Sequence, residues 1–232
     1  MRGMIVHEWN KQVIEALRPI ANPNIALQMK AYLRNQFECY GIQAGPRRQA
    51  VQTLFTTQHR PPVSEIPAVV HELWRQPERE CQMVAIDLLI KVKDQLAPET
   101  LGDIEQWITT KSWWDTVDML ATHIVGRLYQ RHPIETKPVI HAWRKNENLW
   151  LRRTTLLFQL KYKQQTDVEL LFAIIQENRH DRDFFIQKAI GWVLREYSKT
   201  DPDAVVKFIN SEHLTGLAKR EALKWLKTQS AL

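Results

Sequence analysis

The chain reads as an all-α protein built from repeated helices, and three observations carry that expectation. Apolar residues recur at helical spacing through nearly all 232 residues, while alternating strand-like stretches are hard to find. Glycine is scarce at 7 residues and falls mostly at expected helix ends or turns. The chain also resembles itself at a fixed offset. His71-Glu72-Leu73-Trp74-Arg75 matches Ile140-His141-Ala142-Trp143-Arg144, 69 residues on, and Leu151–Phe158 matches Ile186–Val193, 35 residues on. Those offsets fit one and two units of about 35 residues, the size at which paired helices stack into a solenoid. An irregular helical bundle is the alternative.

The periodicity predicts helices over 5–18, 23–37, 45–56, 65–75, 78–95, 99–109, 113–131, 136–145, 148–163, 167–177, 183–198, 202–210 and 216–228. Pro23, Pro46, Pro77 and Pro202 suit first turns, where a missing N–H costs little. Asp167 and Asp201 are placed to cap the helices that follow them. Pro61-Pro62 and His132-Pro133 read as breaks, and Glu78-Arg79-Glu80 as a solvated or salt-bridged first turn. A single domain over residues 1–232 is expected.

Composition narrows the function classes. At 44% hydrophobic residues the chain can bury a real core, and it has no run of 18 uncharged apolar residues to span a membrane. The N-terminal Met1-Arg2-Gly3-Met4 does not read as a signal peptide, so a cytoplasmic, nucleoid-associated location is expected. Cys39 and Cys81 read as buried free thiols on helices. The eight histidines form no metal-ligand spacing, and there is no phosphate-cradling Gly-rich loop, so neither metal nor cofactor is expected. The formal charge of +6 favours a polyanionic partner. It is unevenly spread: from Asn148 to Thr166 the chain carries Arg152, Arg153, Lys161 and Lys163 and no acid.

The residues that suggest chemistry lie around a tryptophan pair. Trp113 and Trp114 are adjacent, so on a helix they point about 100° apart and cannot share one core stripe. Asp118 lies one turn after Trp114, and the expectation is that Trp114 joins it while Trp113 packs inward. Asp118, Arg153 and Lys188 are spaced 35 and 35, which would set them at equivalent places on successive units. Trp192 and Arg195 share the side of Lys188. One basic concave face would then hold Trp114, Asp118, Arg153, Lys188, Trp192 and Arg195. Arg47 and Arg48, after Gly45-Pro46, and Tyr32 are further candidates for contact with nucleic acid.

A carboxylate in a basic groove repels phosphate and needs another task. It can stabilise positive charge or orient a water, and indole faces attract cations. Together they describe a site for a cationic substrate or transition state. Cleavage of the N-glycosidic bond of an N3- or N7-alkylated purine supplies both, because the base is charged and the sugar becomes oxocarbenium-like. Other duties stay open for each residue: a salt bridge for Asp118, and core packing for Trp114 and Trp192.

These residues, with the segments YLRNQFECYGIQAGPRR, ELWRQPEREC, TKSWWDTVD, NLWLRRTTLLFQLKYKQ and FFIQKAIGWVLREYSKT, resemble the AlkD-like DNA alkylation repair family of HEAT-repeat DNA glycosylases. The resemblance runs from about Val6 to Lys227. It implies a C-shaped, HEAT-like solenoid holding duplex DNA. It also implies a monofunctional glycosylase, working as a monomer without metal or cofactor, that removes N3- and N7-alkylpurines. By the same resemblance Asp118 matches the catalytic aspartate. Trp114 and Trp192 match the tryptophans that contact sugar and backbone, and Arg153 a phosphate-binding arginine. The visible departures are the Gly41–Pro46 turn and Arg152 beside Arg153. A non-catalytic DNA-binding or protein-binding repeat module is the competing expectation.

Overall fold

A computed structural model of the chain describes residues 7–229. The expected beginning of the first helix at residue 5 therefore lies outside the described residues, as does Val6. Among the described residues the chain is helical throughout, with no strand beyond one isolated bridge between Glu38 and Glu78. It divides into two compact units, one ending at Asp103 and the other beginning at Ile104.

The first unit holds α1 (Glu8–Leu17), α2 (Pro23–Tyr32), α3 (Ala44–Ala50), α4 (Ile66–Arg75) and α5 (Arg79–Val92). The division falls within α6 (Leu101–Thr109). The second unit continues with α7 (Trp114–Met119), a π-helical segment (Leu120–Val125) and α8 (Gly126–Arg131), which run on as one rod. It is completed by α9 (Pro133–Trp143), α10 (Leu149–Leu157), α11 (Val168–Asn178), α12 (Phe184–Tyr197), α13 (Pro202–Ser211), α14 (Gly216–Ala222) and α15 (Lys224–Gln229).

The repeat is visible in where the helices begin. Gln43, Glu78, Trp113, Asn148 and Asp183 are the N-caps of α3, α5, α7, α10 and α12, each 35 residues after the one before. The helices before them keep a similar interval: α4 and α6 begin 35 residues apart, as do α9 and α11. Each unit alternates these two sets and buries the apolar stripes between them. Val13, Leu17, Val69 and Leu73 form part of the first core; Trp107, Val117, Leu156, Phe158 and Ile190 form part of the second.

Local chemistry explains most boundaries and most departures. Asp167 and Asp201 accept the first-turn N–H groups of Leu170 and Ala204, as expected of N-caps, and Pro23, Pro133 and Pro202 open helices. The helix expected to reach residue 37 stops at Tyr32, because Arg34 and Asn35 take left-handed φ values of 54° and 55°. The helix expected over 148–163 ends at Leu157, and the one expected over 216–228 is interrupted at Leu223. Pro77 precedes α5 rather than lying in its first turn. Cys81 is buried in α5, but Cys39 lies outside any helix and is only half-buried.

The Glu78-Arg79-Glu80 run is not solvated, which removes one of its two expected roles. Arg79 and Glu80 are both buried, at 1% exposure. Glu80 accepts the backbone N–H groups of Tyr40, Gly41 and Ile42 at 2.9–3.0 Å, and Arg79 stacks over the Phe37 ring at 3.9 Å. A charge run that looks solvated is the anchor for the loop before α3. Gly41 makes that loop possible: its φ is +83°, and a Cβ there would lie 2.0 Å from the Asn22 carbonyl oxygen.

Candidate active site

The site is built in the second unit from the beginnings of α7, α10 and α12. Counted from their N-caps, Asp118, Arg153 and Lys188 are each the fifth residue, and Arg48 holds the same place after Gln43 in the first unit. In the second unit α10 packs against both α7 and α12, so residues at the same place on them can touch. Arg153 Nε donates to Asp118 Oδ1 and Arg153 Nη2 to Asp118 Oδ2, both at 2.8 Å. Arg153 Nη1 donates to the Phe185 carbonyl. One guanidinium thereby joins α7, α10 and α12.

Both partners are buried: the side chains are 12% exposed at Asp118 and 5% at Arg153. Burial pushes the Asp118 carboxyl above its ordinary value, and the hydrogen bonds and charge of Arg153 offset this only in part. The two-pronged contact needs both oxygens free of protons, so it holds the carboxylate form. Thr122 Oγ donates to the Asp118 carbonyl at 2.7 Å, in the π-helical segment that follows.

Aromatic rings lie beside this pair. Trp113 contacts Trp150 and Phe185, with ring centroids 5.9 and 5.1 Å away, and Trp150 and Phe185 are 4.9 Å apart. The Arg153 guanidinium is 6.0 Å from the Phe185 ring. Trp113, half-buried like Trp114, thus links the beginnings of α7, α10 and α12, and its indole N–H is buried with no hydrogen-bond partner. Trp114, at the first turn of α7, is half-buried, and so is Trp192 on α12. Asp115 holds the Thr116 N–H locally at 2.9 Å.

The other expected residues are distributed elsewhere. Arg152 is turned to Asp181 and Asn178 and to the carbonyls of Asn146 and Glu147, and so braces the loop between α9 and α10. Lys188 and Arg195 both reach Glu221 on α14. In the first unit Arg47 and Arg48 converge on Asp87; Arg47 is buried, whereas Arg48 is 59% exposed. Tyr32, at the end of α2, is 70% exposed. No group of three or more His, Cys, Asp or Glu is placed to hold a metal ion among the described residues.

The profile of one protein family, described as DNA alkylation repair enzyme, matches residues 13–226. The chain belongs to this family. A solved structure described as a predicted DNA alkylation repair enzyme from Enterococcus faecalis is similar throughout, with a TM-score of 0.83 and 35% identity. The match covers 89% of this chain and 96% of that one. A comparison with curated proteins gave no match. Membership of the DNA alkylation repair enzyme family supports a role in DNA repair. It also shows what sequence reasoning missed in a DNA alkylation repair enzyme of this kind. Trp150 and Phe185 are themselves 35 residues apart, and the same offset that found Arg153 could have found them. Glu221 had no such signal, because α14 begins after Thr215 and leaves the 35-residue rhythm.

Proposed function

We propose that the chain is a monofunctional DNA glycosylase that hydrolyses the N-glycosidic bond of cationic N3- and N7-alkylated purines in duplex DNA. The observation that carries this reading is the Asp118 carboxyl group, held through both oxygens by Arg153 and one helical turn from Trp114, in a chain of the DNA alkylation repair enzyme family. The alkylated base already bears positive charge, so its departure needs little acid assistance. The sugar gains positive charge as the bond lengthens. A fixed carboxylate in a site with little water stabilises that charge strongly, and the indole faces of Trp114 and Trp192 add to it. Asp118 also orients the water that attacks C1′. Normal purines lack the built-in charge and react poorly. The protein acts as a monomer in the cytoplasm.

The Asp118–Arg153 pair also fits a second reading, a structural bridge between α7 and α10 in a DNA-binding module without catalysis. Single-turnover release of N7-methylguanine from duplex DNA separates the two. Asp118→Asn is expected to slow release by roughly 10²–10³-fold while duplex binding persists. Release at the unaltered rate from folded Asp118→Asn protein, with only its melting temperature lowered, establishes the structural reading instead.

A further inference from the structure

Glu221 stands out among the charged groups that this mechanism leaves unused. Its carboxylate is buried, with the side chain 8% exposed, and three cations converge on it. Lys188 Nζ lies 3.0 Å from Oε1, Lys224 Nζ 2.6 Å from Oε1, and Arg195 Nη1 2.9 Å from Oε2. These cations remain open to solvent, at 37%, 57% and 29% exposure respectively. No second carboxylate pairs with any of them among the described residues, so the cluster carries two positive charges in excess.

The backbone is shaped to build it. Gly191 of α12 packs so closely on α14 that a Cβ there would lie 2.4 Å from the Glu221 Cβ and 2.8 Å from the Ala218 carbonyl oxygen. That approach brings the Glu221 carboxylate in beneath Lys188 and Arg195, which flank Trp192 on α12. Burial works to raise the Glu221 carboxyl, but the hydrogen bonds and charges of Lys224 and Lys188 outweigh it and hold it at about 2. The carboxylate therefore stays ionised at any working pH.

A lone acid among three bases has two possible effects on a polyanion. It can screen them, or it can hold three mobile heads in one place. We propose that Glu221 is a positioning residue that gathers Lys188, Arg195 and Lys224 into a clamp for the DNA phosphodiester backbone beside Trp192. The proposal rests on the duplex-DNA reading above and adds to it a second anchoring point, with Lys224 as a new contact. The cations are already ordered before DNA arrives, so less side-chain freedom is lost on binding.

The two effects differ in sign. A screening acid, once removed, leaves a more positive surface that binds DNA more tightly. A positioning acid, once removed, frees the three heads and weakens binding although net charge rises. The test measures affinity of the full chain for an undamaged duplex across a salt series, with base release followed in parallel. Glu221→Gln is expected to bind roughly tenfold more weakly. Lys224→Gln and Arg195→Gln are each expected to flatten the log–log salt slope by about 0.9. These two surface variants keep the test alive if Glu221→Gln does not fold. Tighter binding by Glu221→Gln, or unchanged slopes in both cation variants, overturns the clamp while unaltered protein still binds duplex and releases base. If the unaltered protein shows no salt-dependent duplex affinity, the glycosylase reading fails with it.

Discussion

Arg153 directs three of its donor atoms into the protein, two to Asp118 and one to the Phe185 carbonyl. A buried pair of this kind contributes little net stability, but breaking it leaves an uncompensated charge at a cost of about 3–5 kcal/mol. Arg153→Lys keeps the charge and loses the planar fork, so a smaller loss of roughly 1–3 kcal/mol is expected in urea unfolding. Equal stability of Arg153→Lys and the unaltered protein would contradict the buried two-pronged contact. Glu221 sets a pH dependence. Its carboxyl, held at about 2 when folded against an ordinary 4.5, contributes stability that is present above about pH 4.5 and lost as pH falls towards 2. Glu221→Gln is therefore expected to be less stable than the unaltered protein at pH 6, and the gap should narrow at pH 3. Residue-scale legibility was uneven for physical reasons. Asp118 and Trp114 showed through helical spacing, because both lie on one helix. The 35-residue offset set Arg153 at the same helix position as Asp118 and suggested that the two line one face separately. Neighbouring helices bring equal positions into contact, so the cation that was expected to meet phosphate meets the carboxylate first. Arg152 was legible as part of a basic run for DNA, but its bracing role was not, since its acceptors are loop carbonyls, Asn178 and the distant Asp181.

Close helix contact decides what the elements tolerate. Alanine is a better helix former than glycine by about 1 kcal/mol, so Gly191→Ala in a free helix would stabilise. Here the added methyl meets Glu221 and the backbone of Ala218, and α14 must shift. Overpacking of this kind costs roughly 1–3 kcal/mol, which outweighs the propensity gain. Gly191→Ala is expected to lower the melting temperature. Gly126→Ala should behave likewise, since its Cβ would lie 2.3 Å from the Phe158 carbonyl oxygen. An unchanged or raised melting temperature in both variants would show that these helices can separate freely. Helix existence was legible from periodicity almost everywhere, whereas endings were not. Arg34, Asn35 and Lys163 end or follow helices with positive φ, and none of the three is the glycine that usually marks such a place. Both helix-contact glycines sit inside helices, where the sequence gives no sign of what presses against them.

Across the whole molecule the count of 32 lysines and arginines overstates the cations that a polyanion meets, because many are already paired. Arg47 and Arg48 share Asp87, Arg144 and Lys145 share Glu177, Arg152 holds Asp181, and Arg179 holds Glu212. The run from Asn148 to Thr166, which contains no acid, is therefore partly neutralised by Asp118 and Asp181 from other parts of the chain. Duplex affinity is accordingly expected to fall with salt at a log–log slope nearer −3 to −5 than −9, at about 0.9 for each phosphate held. A slope near −9 would mean that DNA displaces these internal acids. The all-helical repeat itself was legible because segments recur at offsets of 35 and 69 residues, and five successive helix starts keep the 35-residue interval. One feature bears on how such a chain changes over generations. The π-helical segment Leu120–Val125 holds more residues per turn than the α-helix on either side, between Asp118 and Gly126. A copying error that drops one residue there lets the rod relax to ordinary pitch without turning Asp118 away from Arg153. A chain one codon shorter at that point is expected to keep the carboxylate where it is, which its crystal structure would check.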